Sequence, residues 1–184
     1  MFKKDLIAEQ AVYRGKIKFP KGFEIDNDNI KANIIYAATI LNSRVDENEY
    51  SYKYHDYSFE DCENIDRLKV FIRDHFSGFT KGKTLTFKNQ FAHLFYPKQN
   101  SINKQQANPF NLDASPDHTL IYGLQGKDQK IILEFDAHRY KQRTFVHTIN
   151  ESEFLIFPST TRYYFTENKS DNINVYLGIN YIEY

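Results

Sequence analysis

Apolar residues recur at helical spacing in two stretches of the first half of the chain. Over residues 28–43 they stand three or four positions apart, which is the period of one helical face, and Asp28 is placed to cap that helix. A second stripe predicts a helix over residues 58–76, followed by Gly78 where helices commonly end. The two stripes are Ile30, Ile34, Ala37 and Leu41, and Ile65, Leu68, Ile72 and Phe76. Both stripes are most simply explained as faces packed on a core.

The period changes from helical to extended at about residue 84. Leu85, Phe87, Phe91 and Phe95 share one parity, so one regular strand would place them on the same face. A polar loop over residues 97–117 separates this strand from six short apolar runs, most of them divided by turn residues. The runs are His118–Leu124, Lys130–Phe135, Arg143–Ile149, Glu153–Phe157, Arg162–Thr166 and Ile173–Tyr181. A further, N-terminal strand is expected over residues 12–19.

Closely spaced strands without intervening helices indicate a β-sandwich or a jelly roll. Because the helices come first and the strands later, the fold class is α+β, mainly β, with helices supporting the sheets. The 184 residues suffice for one domain with a substantial core. We therefore expect a single domain over residues 1–184, in which 1–83 supply a strand and two helices and 84–184 supply the β structure.

Composition and charge narrow the classes of function. Lys and Arg together number 24, as do Asp and Glu, so the formal net charge is zero, whereas nucleic-acid binders usually carry a basic excess. The basic run at residues 138–143 is explained as a charged strand edge. The single cysteine, Cys62, excludes an internal disulfide. No apolar run has the length of a membrane span, and no signal peptide is visible. We expect neither a nucleic-acid partner nor a membrane partner.

The phrase Phe-Leu-Ile-Phe-Pro-Ser at residues 154–159 is similar to the penultimate-strand signature of the iron(II)/2-oxoglutarate-dependent oxygenases of bacteria and phages, a prolyl-hydroxylase-like family. In that family the second iron-binding His follows four residues later, and this position is Tyr163 here. The family's last strand carries an Arg that pairs with the 2-oxoglutarate carboxylate and ends near an Asn. The corresponding residues are Asn174 and Asn180. The resemblance covers about residues 84–182 and implies a double-stranded β-helix, the jelly roll of this family.

The upstream half of the family's motif, a His-x-Asp or His-x-His pair, falls between the segments 87–96 and 118–124. The resemblance places its two ligands at Gln106 and Asn108. Gln106, Asn108 and Tyr163 are therefore interpreted as vestigial metal positions, and Asn174 as a vestigial 2-oxoglutarate position.

These replacements remove the chemistry that the family needs. Two His and one carboxylate are the usual ligands of such an iron centre, whereas neutral amides and an un-ionised phenol are weak donors. None of the six histidines is followed two residues later by Asp, Glu or His. Asn174 lacks the positive charge with which an Arg holds a carboxylate. The sequence thus predicts a degenerate member that uses no metal and no cofactor.

Three functions remain open at this point. The first, which we favour, is a non-catalytic module that binds protein partners or self-associates, in the cytoplasm or as a component of a phage particle. Its 14 Tyr residues suit interfaces. The second is an active Fe(II)/2-oxoglutarate hydroxylase with non-standard ligands, drawn from the pocket candidates His93 and His118 with Asp113 or Asp117. The third is a carbohydrate-binding jelly roll, although Trp, a frequent sugar platform, is absent.

Overall fold

The computed structural model describes residues 11–42, 63–76, 84–101, 104, 107, 115–135 and 143–184. It contains two helices, α1 (Asn27–Asn42) and α2 (Glu63–Phe76). The strands are β1 (Tyr13–Lys16), β2 (Leu85–Phe95), β3 (His118–Gln125), β4 (Lys130–Phe135), β5 (Arg143–Thr148), β6 (Glu153–Pro158), β7 (Arg162–Phe165) and β8 (Asn174–Glu183). Cys62 and the start of the second predicted helix, residues 58–62, lie outside the described residues.

Two antiparallel sheets form the body of the fold. The larger has the strand order β1-β6-β3-β8-β2 and the smaller the order β5-β4-β7. Side chains from both sheets meet in one buried cluster rich in aromatic rings, which includes Phe91, Phe95, Phe157, Tyr163, Phe165 and Tyr176. A second buried cluster joins α1 and α2 to the opposite face of the larger sheet. The predicted mainly-β class with two supporting helices is confirmed. In the part of the chain described, neither helix is long and apolar enough to cross a membrane.

The start of α1 differs from the expectation. The Oδ1 atom of Asp26 accepts a hydrogen bond from the Asn29 N–H at 2.9 Å, so Asp26 caps the helix. The predicted cap, Asp28, instead lies in the first turn and pairs with Lys31 three residues on. Of the predicted apolar face, Ala37 is only half-buried and its neighbour Ala38 is fully buried. The predicted stripe of α2 is confirmed, because all four of its residues are buried.

A β-bulge in β2 overturns the expectation that its apolar residues share one face. The pairing of β2 with β8 shifts by one residue between Phe87 and Asn89, and one extra residue reverses the alternation of side chains. Leu85 and Phe87 therefore pack under the helices, whereas Phe91 and Phe95 lie between the sheets. Because of the bulge, His93, which lies between these two Phe residues, faces the space between the two sheets, which is the interior of the barrel that they form.

Candidate functional site

The barrel interior is the place where the resemblance puts the iron, and Tyr163 of β7 points into it. Only 3% of the surface of Tyr163 is exposed to solvent, and none of the surface of His93 is. His93 Nε2 lies 3.2 Å from Tyr163 Oη. The position of the expected metal-binding His is thus occupied by a phenol that contacts a histidine from β2.

Aromatic rings surround His93 on several sides. The ring centroids of Phe91, Phe95 and Phe165 lie 5.3, 6.1 and 5.2 Å from that of the imidazole. The ring of Tyr163 approaches it edge-on at 5.9 Å. Rings at such separations are in packing contact, so His93 is held inside an aromatic cluster.

The chemistry of Tyr163 does not fit an iron ligand. Burial raises the pKa of this phenol far above its ordinary value, because desolvation disfavours the charged form. The side chain is therefore neutral, and a neutral phenol is a weak donor compared with imidazole or carboxylate. Across the described residues, no group of three His, Cys, Asp or Glu side chains is arranged to hold a metal ion.

Asn174, the expected 2-oxoglutarate position, is fully buried and engaged on every side. Its Oδ1 accepts from the Lys127 N–H at 3.2 Å. Its Nδ2 lies 3.0 Å from three acceptors, the Lys127 carbonyl, Gln129 Oε1 and Asn168 Oδ1. The two hydrogens of the amide are shared among these three oxygens. Asn174 therefore joins the β3–β4 connection to the β7–β8 loop, with no donor left for a ligand carboxylate.

Close packing continues along β8 beyond Asn174. A methyl group at Gly178 would overlap the ring of Phe91, so that ring occupies the space that a side chain at position 178 would need. The ring of Tyr176 stacks on Phe165 with centroids 4.6 Å apart. Burial raises the pKa of Tyr176 as well. These contacts fill the space between the sheets beside Asn174 with side chains of the protein itself.

His93 and His118 lie on opposite faces of the larger sheet. His118 packs against Phe76 of α2, and its Nε2 lies 2.6 Å from Glu183 Oε2. Asp117 is exposed and accepts the Glu183 N–H through Oδ2 at 2.8 Å. His118 thus faces the helices, so the expectation that it lines one pocket with His93 is wrong. The alternative set of ligands is not brought together, and its other member, Asp113, lies outside the described residues.

Gln106 and Asn108 also lie outside the described residues, but Ala107 between them and Ser101 earlier in the same loop are described. The Ala107 N–H donates to the Ser159 carbonyl at 2.8 Å. Ser101 bonds to Phe165 of β7 twice, through its backbone N–H and its hydroxyl. Ala107 is therefore next to Ser159, the residue that follows β6 and precedes Tyr163 by four positions. The two positions that the resemblance assigns to the family's metal pair, 106 and 108, flank Ala107 in the sequence.

A row of polar side chains between the sheets was not foreseen from the sequence. Thr119 Oγ1 lies 2.8 Å from both Ser159 Oγ and Asn180 Oδ1, and Asn180 Nδ2 donates to Asn89 Oδ1 at 2.6 Å. The row joins β3, β8 and β2 to the residue that follows β6, at the end of the barrel opposite Asn174. Asn180 was noted only as the residue that closes the last strand, and its partners come from distant parts of the chain.

Comparison with known proteins identifies the fold. No family model matches the chain, and no curated protein matches it. Among solved structures, a prolyl-4-hydroxylase from Pseudomonas putida superposes with a TM-score of 0.62 at 10% identity, over 93% of this chain and 92% of that one. HygX from Streptomyces hygroscopicus, solved with nickel and 2-oxoglutarate bound, gives 0.62 at 7% identity over 94% and 82%. SnoK, a non-heme alpha-ketoglutarate-dependent carbocyclase from nogalamycin biosynthesis, gives 0.58 at 10% identity over 94% and 79%. The predicted resemblance is confirmed at the level of the fold.

Proposed function

We propose that this chain, which has the fold of the iron(II)/2-oxoglutarate oxygenases, is a non-catalytic form of that fold and serves as a binding or assembly module. The observation that carries the proposal is the contact between Tyr163 and His93. A neutral, buried phenol stands where the family's second iron-binding His is expected, and its oxygen is already paired inside the core. Iron bound there would have to displace this contact and accept a weaker donor.

The surroundings of Asn174 support the same conclusion independently. In the family an Arg at this position supplies charge to the 2-oxoglutarate carboxylate. Here a neutral amide is used within the protein to tie two connections together. A ligand carboxylate placed beside it would lose its hydration without gaining a cationic partner, which is unfavourable in a buried setting. At the two positions that the resemblance assigns, Tyr163 matches no iron-binding His and Asn174 matches no Arg, which supports the proposal.

The binding or assembly role rests on the exposed surface rather than on the barrel interior. Tyr36 and Tyr184 retain 68% and 75% of their exposed surface, and Tyr is enriched at protein interfaces because its ring is apolar and its hydroxyl is polar. A homo-oligomer and a component of a phage particle are two concrete forms of this role. The homo-oligomer would act in the cytoplasm.

Calorimetry with nickel and 2-oxoglutarate tests the non-catalytic half of the proposal. HygX, which was solved with both ligands, is the positive control and should give saturable heats under the same conditions. The chain should give no saturable heat with nickel, with 2-oxoglutarate or with both. Stoichiometric binding of either ligand, removed by Tyr163→Phe or Asn174→Ala, would overturn the proposal.

Light scattering during size-exclusion chromatography tests self-association. A strict monomer at all concentrations would eliminate the homo-oligomeric form.

A further inference from the structure

A groove with a volume of about 560 Å³ lies outside the barrel, between β1, β6 and α2. Its floor is apolar and aromatic, with Phe71, Ile72 and Phe76 from α2, and Phe154 and Ile156 from β6. Ligand-binding cavities commonly have volumes in this range and such a lining. We call it the β1 groove, since β1 forms one whole side of it.

The β1 groove extends from the side of β6 that faces the helices to the outer edge of β1. Both faces of the strand line it, because Tyr13 and Ile17 have one parity and Arg14, Lys16 and Lys18 the other. Side chains of opposite parity point to opposite faces of a sheet, so a cavity that touches both lies beside the strand. In the described part of the chain, β1 is the last strand of the larger sheet on this side.

The backbone of β1 presents hydrogen-bonding groups to this groove. All four residues of β1 lie opposite residues of β6, and the Ile17 N–H, in the same register, donates to the Ser152 carbonyl at 2.8 Å. The pairs of Tyr13 with Ile156 and of Gly15 with Phe154 are therefore the hydrogen-bonded ones. The N–H and C=O groups of successive residues point to opposite edges of a strand, and those of alternate residues point to the same edge. The N–H and C=O groups of Arg14 and Lys16 therefore point away from β6. No described residue forms a backbone hydrogen bond with them on that side.

The charges along the groove indicate what kind of chain would pair there. All the charged side chains among the described lining residues are basic, and Arg14, Lys16 and Lys18 are exposed on one face of the strand. The opposite face is the apolar floor. This excess is local, since the whole chain has zero net charge. A second copy of β1 would set like charges opposite one another, which is destabilising, so an acidic partner fits better than self-pairing.

We propose that the outer edge of β1 binds an extended peptide as an additional strand, with alternating acidic and apolar side chains. Its backbone pairs with Arg14 and Lys16, its acidic side chains lie beside Arg14, Lys16 and Lys18, and its apolar side chains enter the β1 groove. Strand addition of this kind draws affinity from backbone hydrogen bonds and specificity from pockets for alternate side chains. The proposal deepens the binding role proposed above by naming the class of partner.

A fluorescein-labelled peptide of sequence Glu-Val-Glu-Phe-Glu-Val-Glu is the probe, titrated with the full chain by fluorescence anisotropy. The matched control peptide has the same composition without alternation, Glu-Glu-Glu-Glu-Val-Phe-Val. Arg14→Glu/Lys16→Glu should weaken binding of the alternating peptide about tenfold or more, because two ion pairs become repulsive. Lys169→Glu, an equally exposed reversal in the β7–β8 loop, should leave the affinity unchanged.

Amide hydrogen exchange then separates strand addition from simple charge attraction. The bound peptide should slow exchange at the Arg14 and Lys16 amides, with little change at Gly15 and Ile17, whose amides already face β6. The proposal is overturned by the absence of binding at about 1 mM protein, by equal affinity for the two peptides, or by protection without alternation. Dimerisation of the chain through β1 would also overturn it. The calorimetry described above concerns the barrel alone, so either proposal can fail without the other.

Discussion

His93 and Tyr163 are 70 residues apart in the chain, and their side chains meet inside the barrel with Nε2 3.2 Å from Oη. The resemblance to the oxygenases assigns position 163 to a metal ligand. Here it faces another part of the core. At this position the side chain packs in the core through its contact with His93. The contact can be tested by removing the phenol oxygen.

Tyr163→Phe deletes the phenol oxygen and leaves the ring in place. We expect the free energy of unfolding to fall by about 1 kcal/mol, the usual net contribution of one buried hydrogen bond. Urea unfolding measures the change. Tyr164→Phe, on the neighbouring and more exposed residue, is the control and should change stability by less than about 0.5 kcal/mol. Equal effects for the two variants would show that the oxygen of Tyr163 has no structural partner.

Asn174→Asp replaces one nitrogen by oxygen inside the buried network. The carboxylate would then face three oxygens that now accept from Nδ2, so we expect a loss of about 3 kcal/mol in the free energy of unfolding. Asn172→Asp makes the same chemical change at an exposed position of the same loop and should be nearly neutral. A stable Asn174→Asp protein would contradict the structural role assigned to this amide.

Gly178→Ala tests how tightly the barrel interior is packed. The new methyl group would overlap the ring of Phe91, and overpacking of a core typically costs about 1–3 kcal/mol. Phe91→Leu makes room for the methyl group, so the double variant should be more stable than the sum of the two single effects predicts. Thermal or urea unfolding of the four proteins gives the coupling energy. Strict additivity would indicate that the ring does not lie against β8.

The pKa of His147 tests the approach of β1 to β5. Burial lowers this pKa below its ordinary value of 6.5, Arg14 lowers it further, and Glu153 opposes both. Arg14→Ala should raise the His147 pKa in an NMR titration, though not above 6.5, because burial is the largest cause. Lys169→Ala should leave the His147 pKa unchanged. An unchanged His147 pKa in Arg14→Ala would show that Arg14 of β1 does not lie near His147 of β5.

The same shift fixes the direction of a pH effect on stability. Since the pKa is lower in the folded state, the unfolded chain binds more protons at His147, and stability is lost as the pH falls. The loss is absent well above pH 6.5 and complete below the folded pKa. Arg14→Ala should reduce this loss, which urea unfolding on both sides of pH 6.5 measures as a difference between the two proteins.

Local patterns were enough to predict most of the fold. The bounds of β4 match the predicted run Lys130–Phe135, because alternation and flanking turn residues mark a strand without reference to its partners. The bulge in β2 was not predictable, since one extra residue leaves no trace in composition. The opposite faces of His93 and His118 follow from that bulge and from pairing between strands, which the local pattern does not contain.

The sequence assigns positions to the candidate site but does not predict what surrounds them. The phrase ending in Ser159 assigns roles to Tyr163 and Asn174 by resemblance, and these roles stay predictions. Gln129 and Asn168 bond to Asn174 from two separate connections, and His93 reaches Tyr163 from a third part of the chain. The β1 groove likewise depends on the packing of β1 beside α2, which no short stretch of sequence specifies.

A crystal structure determined after soaking with Mn²⁺ and 2-oxoglutarate tests the central claim most directly, with anomalous scattering to locate the metal. We predict no metal peak between the sheets, an intact contact between His93 and Tyr163, and Asn174 still bonded to Lys127, Gln129 and Asn168. An octahedral Mn²⁺ bound by Tyr163 or His93, with 2-oxoglutarate beside the start of β8, would contradict the account.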